Sequence, residues 1–174
     1  MNEMRSRTRI LSEGAMVVAL TIILKDILPP IYHFPQGGSV SAAGMVPILW
    51  YALRRGPYAG LEVGGIYGLV NMMFGGYFVD PVQALLDYPI AFAALGLAGF
   101  LKAYPLIGVI LGIAGRFFAH FISGVWFFSM YTPEGINPIV YSAVYNGSYL
   151  IAELVISLII IFLLQKRRLL ELYL

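Results

Sequence analysis

Six apolar runs alternate with short polar breaks along the chain. They cover about 13–28, 41–53, 58–74, 81–101, 106–128 and 138–164. Most approach the ~20 residues that a helix needs to cross a hydrocarbon core, and only the second is short. The breaks read LPPIYHFPQGG, RRGP, FGGYFVDP, KAYP and MYTPEGINP, and each contains proline or glycine, the strongest local interrupters of helix. The pattern predicts an all-α integral membrane bundle of six helices, forming one domain over residues 1–174. Only RRGP separates the second and third runs, which predicts a tight helical hairpin there. Gly60, Gly64 and Gly68 recur at four-residue intervals in the third run, a spacing that lets another helix of the bundle approach closely.

The basic residues fall on alternate breaks. Arg5, Arg7 and Arg9 precede the first run, Arg54 and Arg55 follow the second, Lys102 follows the fourth, and Lys166, Arg167 and Arg168 follow the sixth. Residues 29–40, 75–80 and 129–137 contain no lysine or arginine. The excess of positive charge on one side predicts that both termini of a multi-pass membrane protein are cytoplasmic. The basic start MNEMRSRTRI leads into a run too long, and too polar at its far end, for a cleaved signal peptide.

Composition narrows the classes further. Hydrophobic residues make up 60% of the chain and charged residues 11%, against about 25% charged in soluble domains. A net charge of +2, not laid out as a groove, argues against nucleic acid. The chain has no cysteine, which excludes disulfides, thiol nucleophiles and cysteine metal sites. There is no HExxH, and His33 and His120 are the only histidines, so neither a metal nor a cofactor is expected. No GxxxxGK[ST] loop is present, so the chain does not hydrolyse ATP itself. Ser123 lies three residues from His120 on one helix, which is not a nucleophile elbow. Without an inverted repeat, a self-sufficient secondary transporter is not expected.

Against this background a few polar residues stand out. Asp87 lies seven residues past Asp80, about 10 Å into its helix at 1.5 Å per residue. His120 lies nine residues before Ser129, and Asn146 nine after Asn137, each about 13 Å from the same side. Three helices thus bring a carboxylate, an imidazole and an amide to one layer. A lone carboxylate in hydrocarbon is costly, roughly 2.5–3.5 kcal/mol on the gentlest scale, so Asp87 is expected to face a site. Tyr88, Tyr77, Phe128, Trp126, Tyr141, Tyr145 and Tyr149 surround this layer, and Arg116 lies one turn below His120. Aromatic faces attract a cation. A carboxylate neutralises one and can accept two N–H bonds from an amidine-like edge. The layer suits a flat, nitrogen-rich cation. The residues also allow plainer readings: an Asp87–Arg116 ion pair, a core His120 bonded to a backbone carbonyl, Asn71 as interhelical glue, and Tyr131 and Tyr173 as interface anchors. Lys25 and Asp26 are expected to be solvated at the end of the first helix, and Glu62 to reach the interface. Glu153 is read as a packing hydrogen bond or a deeper wall. Ala15 and Ala19, four apart on the first helix, fit either a partner helix or a contact within the bundle.

Four ordered blocks carry a resemblance: Pro47 to Leu69, PILWYALRRGPYAGLEVGGIYGL; Asp80 to Phe100, DPVQALLDYPIAFAALGLAGF; Arg116 to Phe128, RFFAHFISGVWFF; and Val140 to Leu150, VYSAVYNGSYL. The chain resembles the ThiT (YuaJ) family, thiamine-specific S components of energy-coupling factor transporters. The resemblance implies a non-enzymatic bundle that captures thiamine outside the cell. It also implies partners: an EcfT-like coupling protein, which the AxxxA positions Ala15 and Ala19 would touch, and a pair of EcfA-type ATPases. Carried onto this chain, it implies that Asp87 binds the aminopyrimidine and that Tyr88, His120 and Phe128 wall the rings. Tyr141 and Asn146 would supply hydrogen bonds, Tyr77 would lie above, and Arg116 would orient Asp87. Asp87 stands where a family member has Glu, and Arg116 where it has Lys. The loop IYHFPQGGSVSA lacks a capping tryptophan, whose place Phe34 or Gln36 can take. Other readings are an S component for hydroxymethyl-aminopyrimidine, a small membrane enzyme using Asp87 and His120 as acid and base, and a structural subunit without a ligand.

Overall fold

The computed structural model describes residues 2–35, 37–74 and 76–170, with side chains from residue 7 onward. Gln36 and Tyr173 therefore lie outside the described residues. Six helices carry the fold. Helix α1 spans Asn2–Ile22 and runs on through a π-helical turn, Ile23–Ile27. Helix α2 is Val46–Arg55 and α3 is Pro57–Met73. Helix α4, Pro81–Leu101, changes pitch along its length; α5 is Pro105–Phe127 and α6 is Pro138–Lys166. Among the described residues, α4, α5 and α6 are each long and apolar enough to cross a membrane. Large apolar side chains such as Met16 on α1, Phe118 on α5 and Ile151 on α6 are left exposed around the bundle, as a lipid-facing surface requires.

The hairpin of α2 and α3 forms as expected. Gly56, at φ 101°, is the sole residue between them and adopts a backbone that side chains disfavour. The second run is not a span, however. Helix starts only at Val46, and Ser41 is instead held in the interior against α6: its N–H and hydroxyl both donate to Glu153 Oε1 at 2.7 Å. The remaining ten residues reach about 15 Å, half a bilayer. Helix α2 is instead the core of the bundle, with Ile48, Leu49, Tyr51 and Ala52 essentially inaccessible.

Glycines set the spacing of the layers. A Cβ on Gly60 would meet the Gly96 backbone at 2.8 Å, and one on Gly68 would meet Pro89 Cα at 2.5 Å. The Gly60–Gly64–Gly68 stripe is therefore where α3 touches α4. Asp80 caps α4, its Oδ1 accepting from Val82 N–H at 2.7 Å. Pro89 cannot donate a backbone bond, and here α4 widens into a π turn, Leu86–Ile90, before tightening to a 3₁₀ helix over Ala94–Leu101.

A small antiparallel hairpin, β1 (Tyr32–His33) and β2 (Ser39–Val40), joins α1 to α2, with Gly37 at φ 91° in its turn. The sequence pattern showed this stretch only as a break. Prolines 29, 30 and 35 exclude helix, and Phe34 N–H closes the turn onto Gly38 O at 2.7 Å.

Candidate functional site

The bundle holds a cavity of about 890 Å³ beneath the β hairpin and the loops that follow α3 and α5. All eight residues singled out as ligand contacts line it: Tyr77, Asp87, Tyr88, Arg116, His120, Phe128, Tyr141 and Asn146. Two π turns feed it. A π turn adds a residue to the helix and re-aims the side chains around it. The turn in α4 carries Asp87 and Tyr88, and the turn in α1 carries Lys25 and Asp26.

The three residues placed in one layer by counting do meet. Asp87 Oδ1 lies 3.0 Å from His120 Nδ1, and Asn146 Nδ2 donates to His120 O at 3.4 Å. Asp87 Oδ2 accepts from Gln83 Nε2 at 2.7 Å and from Ser123 Oγ at 2.8 Å. Gln83 also accepts from Val79 N–H and donates to Tyr77 O, tying the carboxylate to the loop above. In that loop Tyr77 N–H donates to Tyr88 Oη at 2.7 Å, and the hydroxyls of Tyr77 and Tyr131 share a hydrogen bond of 3.0 Å. Asn146 Oδ1 accepts from Tyr149 Oη at 2.8 Å, and its Nδ2 donates to Ser142 O at 3.0 Å.

Several expectations are corrected. Asp87 does not pair with Arg116; it is hydrogen-bonded to His120, which also rules out a His120 bonded only to a carbonyl. The Arg116 guanidinium sits 3.8 Å from the centre of the Phe92 ring, with Nε and Nη1 buried and unpartnered. Lys25 and Asp26 are not solvated at a helix end. Both line the cavity: Lys25 Nζ donates to Ser39 Oγ at 2.7 Å, and Asp26 accepts from Tyr67 at 2.9 Å and Asn71 at 2.7 Å. Asn71 thus links α3 to α1, as expected of interhelical glue. Tyr131 is part of the cavity mouth rather than a lipid anchor, and Trp126 points away, 74% exposed. Phe34 does not face the cavity. It packs on Tyr145 and Tyr149, with ring centres 6.2 and 6.0 Å away. Glu62 is exposed near the start of α3, as expected of a side chain reaching the interface.

Sequence reasoning missed Gln83, Ser123, Lys25 and Asp26. Gln83 and Ser123 had one usable signal: each lies near one turn from a site residue, Gln83 four before Asp87 and Ser123 three after His120. The Ser123 hydroxyl donates to the aspartate, not to the histidine, so the Ser–His pairing of a nucleophilic triad is not formed.

A bundle of apolar helices enclosing a polar, aromatic-walled cavity between them defines a multi-pass membrane protein that holds a small molecule. The comparisons specify which. The family described as thiamine transporter protein (Thia_YuaJ) matches residues 11–172. Thiamine transporter ThiT of Bacillus subtilis is 35% identical over 94% of this chain and 93% of its own. Thiamine transporter ThiT of Lacticaseibacillus paracasei is 31% identical, covering 84% of this chain and 85% of its own. The solved structure of ThiT from Listeria monocytogenes superposes with a TM-score of 0.80 at 30% identity, covering 93% of this chain and 96% of that one. The chain belongs to the ThiT (YuaJ) family of thiamine transporters, cell-membrane proteins that are not enzymes.

Proposed function

We propose that this chain is the thiamine-capturing S component of an energy-coupling factor transporter, a single domain over residues 1–174 with both termini cytoplasmic. It takes thiamine from outside the cell and hands it inward when partner ATPases act through an EcfT-like coupling protein. The observation that carries this reading is the lining of the cavity. Two carboxylates, Asp26 and Asp87, line it among aromatic rings, as do Lys25 and Arg116. A carboxylate beside π faces suits a ligand with one positive charge. Tyr77, Tyr88, Phe128 and Tyr141 offer the π faces that a thiazolium needs.

Partner contact is supported on α1. Ala15 and Ala19 are both exposed, whereas Gly14, Val17 and Thr21 face the bundle. The small-residue pair is thus free to receive another helix, and a contact within the bundle is not its role.

The sibling reading, a carrier for the free hydroxymethyl-aminopyrimidine, leaves the aromatic wall without a cation. Competition binding separates them. Thiamine is expected to displace labelled thiamine at far lower concentration than the free pyrimidine does. Equal displacement would move the assignment to the pyrimidine.

A further inference from the structure

We infer that Glu62 on α3 selects the membrane helix that docks beside α1, by requiring a lysine or arginine on it. The inference rests on the coupling-protein contact proposed above and names the chemistry of that partner. Glu62 heads an exposed stripe whose other members, Ile66, Leu69 and Met73, are apolar. Their spacing, i, i+4, i+7 and i+11, is one face of a helix. The carboxylate therefore lies on the outer surface of the bundle, away from the cavity. It stands five residues past Pro57, about 7.5 Å into α3. Among the described residues no hydrogen bond or ion pair holds it. The arginines at that end of the bundle are engaged elsewhere. Arg9 and Arg55 donate to Glu13, and Arg54 lies over the Trp50 ring at 4.5 Å.

Glu62 shares its surface with Ala15. Helices α1 and α3 run parallel. A Cβ on Gly14 would meet Val63 Cγ2 at 3.0 Å, and further outward Asp26 accepts from Asn71. Successive helical residues turn by about 100°. In parallel helices touching through Gly14 and Val63, the residue after the first and the residue before the second swing to the same side. Ala15 and Glu62 thus flank one groove at one depth, and both are exposed. In the free chain Glu62 stays wet, because a helical Cβ points toward the N-terminus, here the inner interface. A helix seated against Ala15 covers it. A covered carboxylate without a cation is strongly destabilising, so the groove accepts a helix with a basic residue at that level and rejects one without.

The test uses the full chain in lipid nanodiscs, titrated with the coupling protein and ATPases of the same organism. Glu62→Gln is expected to weaken assembly at least tenfold and Glu62→Arg to abolish it. Both variants should bind thiamine as the wild type does, since Glu62 lies outside the cavity lining. Exchanging the facing lysine or arginine of the partner for glutamate is expected to restore assembly with Glu62→Arg. Wild-type assembly by Glu62→Arg overturns the inference and leaves the stripe to lipid. Should Glu62→Arg fold poorly, the isosteric Glu62→Gln still decides, and an unchanged affinity in it is equally contrary. If Ala15→Leu with Ala19→Leu blocks assembly while both Glu62 variants assemble, this inference alone fails. A wild-type chain that binds no coupling protein overturns it together with the S-component reading.

Discussion

A carboxylate placed about a third of the way across a membrane needs a reason to stay charged. Asp87 has three hydrogen-bond donors and a cavity in front of it rather than lipid. Replacing it by asparagine keeps its shape and removes its charge. Asp87→Asn is expected to weaken thiamine binding at least tenfold, about 1.4 kcal/mol, in a calorimetric titration; an unchanged affinity would remove Asp87 from the site. Arg116→Met keeps an apolar stem but removes the guanidinium over Phe92 together with its unpartnered donors. A loss of about tenfold in affinity with little change in thermal stability is expected, and a large stability loss alone would make Arg116 a packing residue. At this scale the sequence was legible where depth could be counted. Asp87, His120 and Asn146 sit at matched distances from charged or polar breaks, and they meet. It was not legible where a π turn redirects a side chain. Lys25 and Asp26 read as end residues because regular helical counting places them at the rim, while the π turn at Ile23–Ile27 brings them to the cavity.

Elements hold these residues to position. The cavity wall of α4 can carry a π turn because α3 supports it from behind through glycines, with no side chain between the two backbones. A Cβ on Gly96 would sit against the Gly60 carbonyl carbon at 2.5 Å. Gly96→Val is expected to destabilise the bundle by about 1–3 kcal/mol, seen as a lower melting temperature in detergent, and unchanged melting would contradict this packing. The β hairpin is tethered over the cavity by Lys25 to Ser39, Tyr145 Oη to Gly38 N–H, and Glu153 to Ser41. Glu153→Ala strands the buried Ser41 N–H and hydroxyl, a loss of about 1–3 kcal/mol in the covered state. Thiamine is expected to leave this variant about tenfold faster or more in stopped-flow release, and an unaltered rate would show that the hairpin does not cover the ligand. The hydrophobic pattern predicted α3, α4, α5 and α6 nearly to the residue, because each has an apolar run with proline or glycine at its ends, whereas α1 begins at Asn2, eleven residues before its apolar run. It failed for residues 41–45 and for the hairpin. Both are set by long-range bonds to α6, Glu153 and Tyr145, which no local pattern displays.

The whole molecule combines an apolar outer surface, a charged cavity and one helix face of small residues. Those features divide the work between ligand and partner, and they are separable by mutation. Ala15→Leu together with Ala19→Leu is expected to leave thiamine affinity unchanged while abolishing co-purification with the coupling protein and uptake by cells. Normal uptake would place the partner elsewhere. The helix count was readable because the membrane permits few alternatives. The cavity's volume was not, since it depends on how six helices lean together. Tryptophan fluorescence is a poor reporter of filling, because Trp126 faces away from the cavity and Trp50 donates to Leu169 O near the C-terminus. Calorimetry needs no such reporter. Titration of the detergent-purified wild-type protein with thiamine is expected to show saturable one-to-one binding with nanomolar affinity, and the absence of binding up to high micromolar thiamine would contradict the assignment of this cavity to the vitamin.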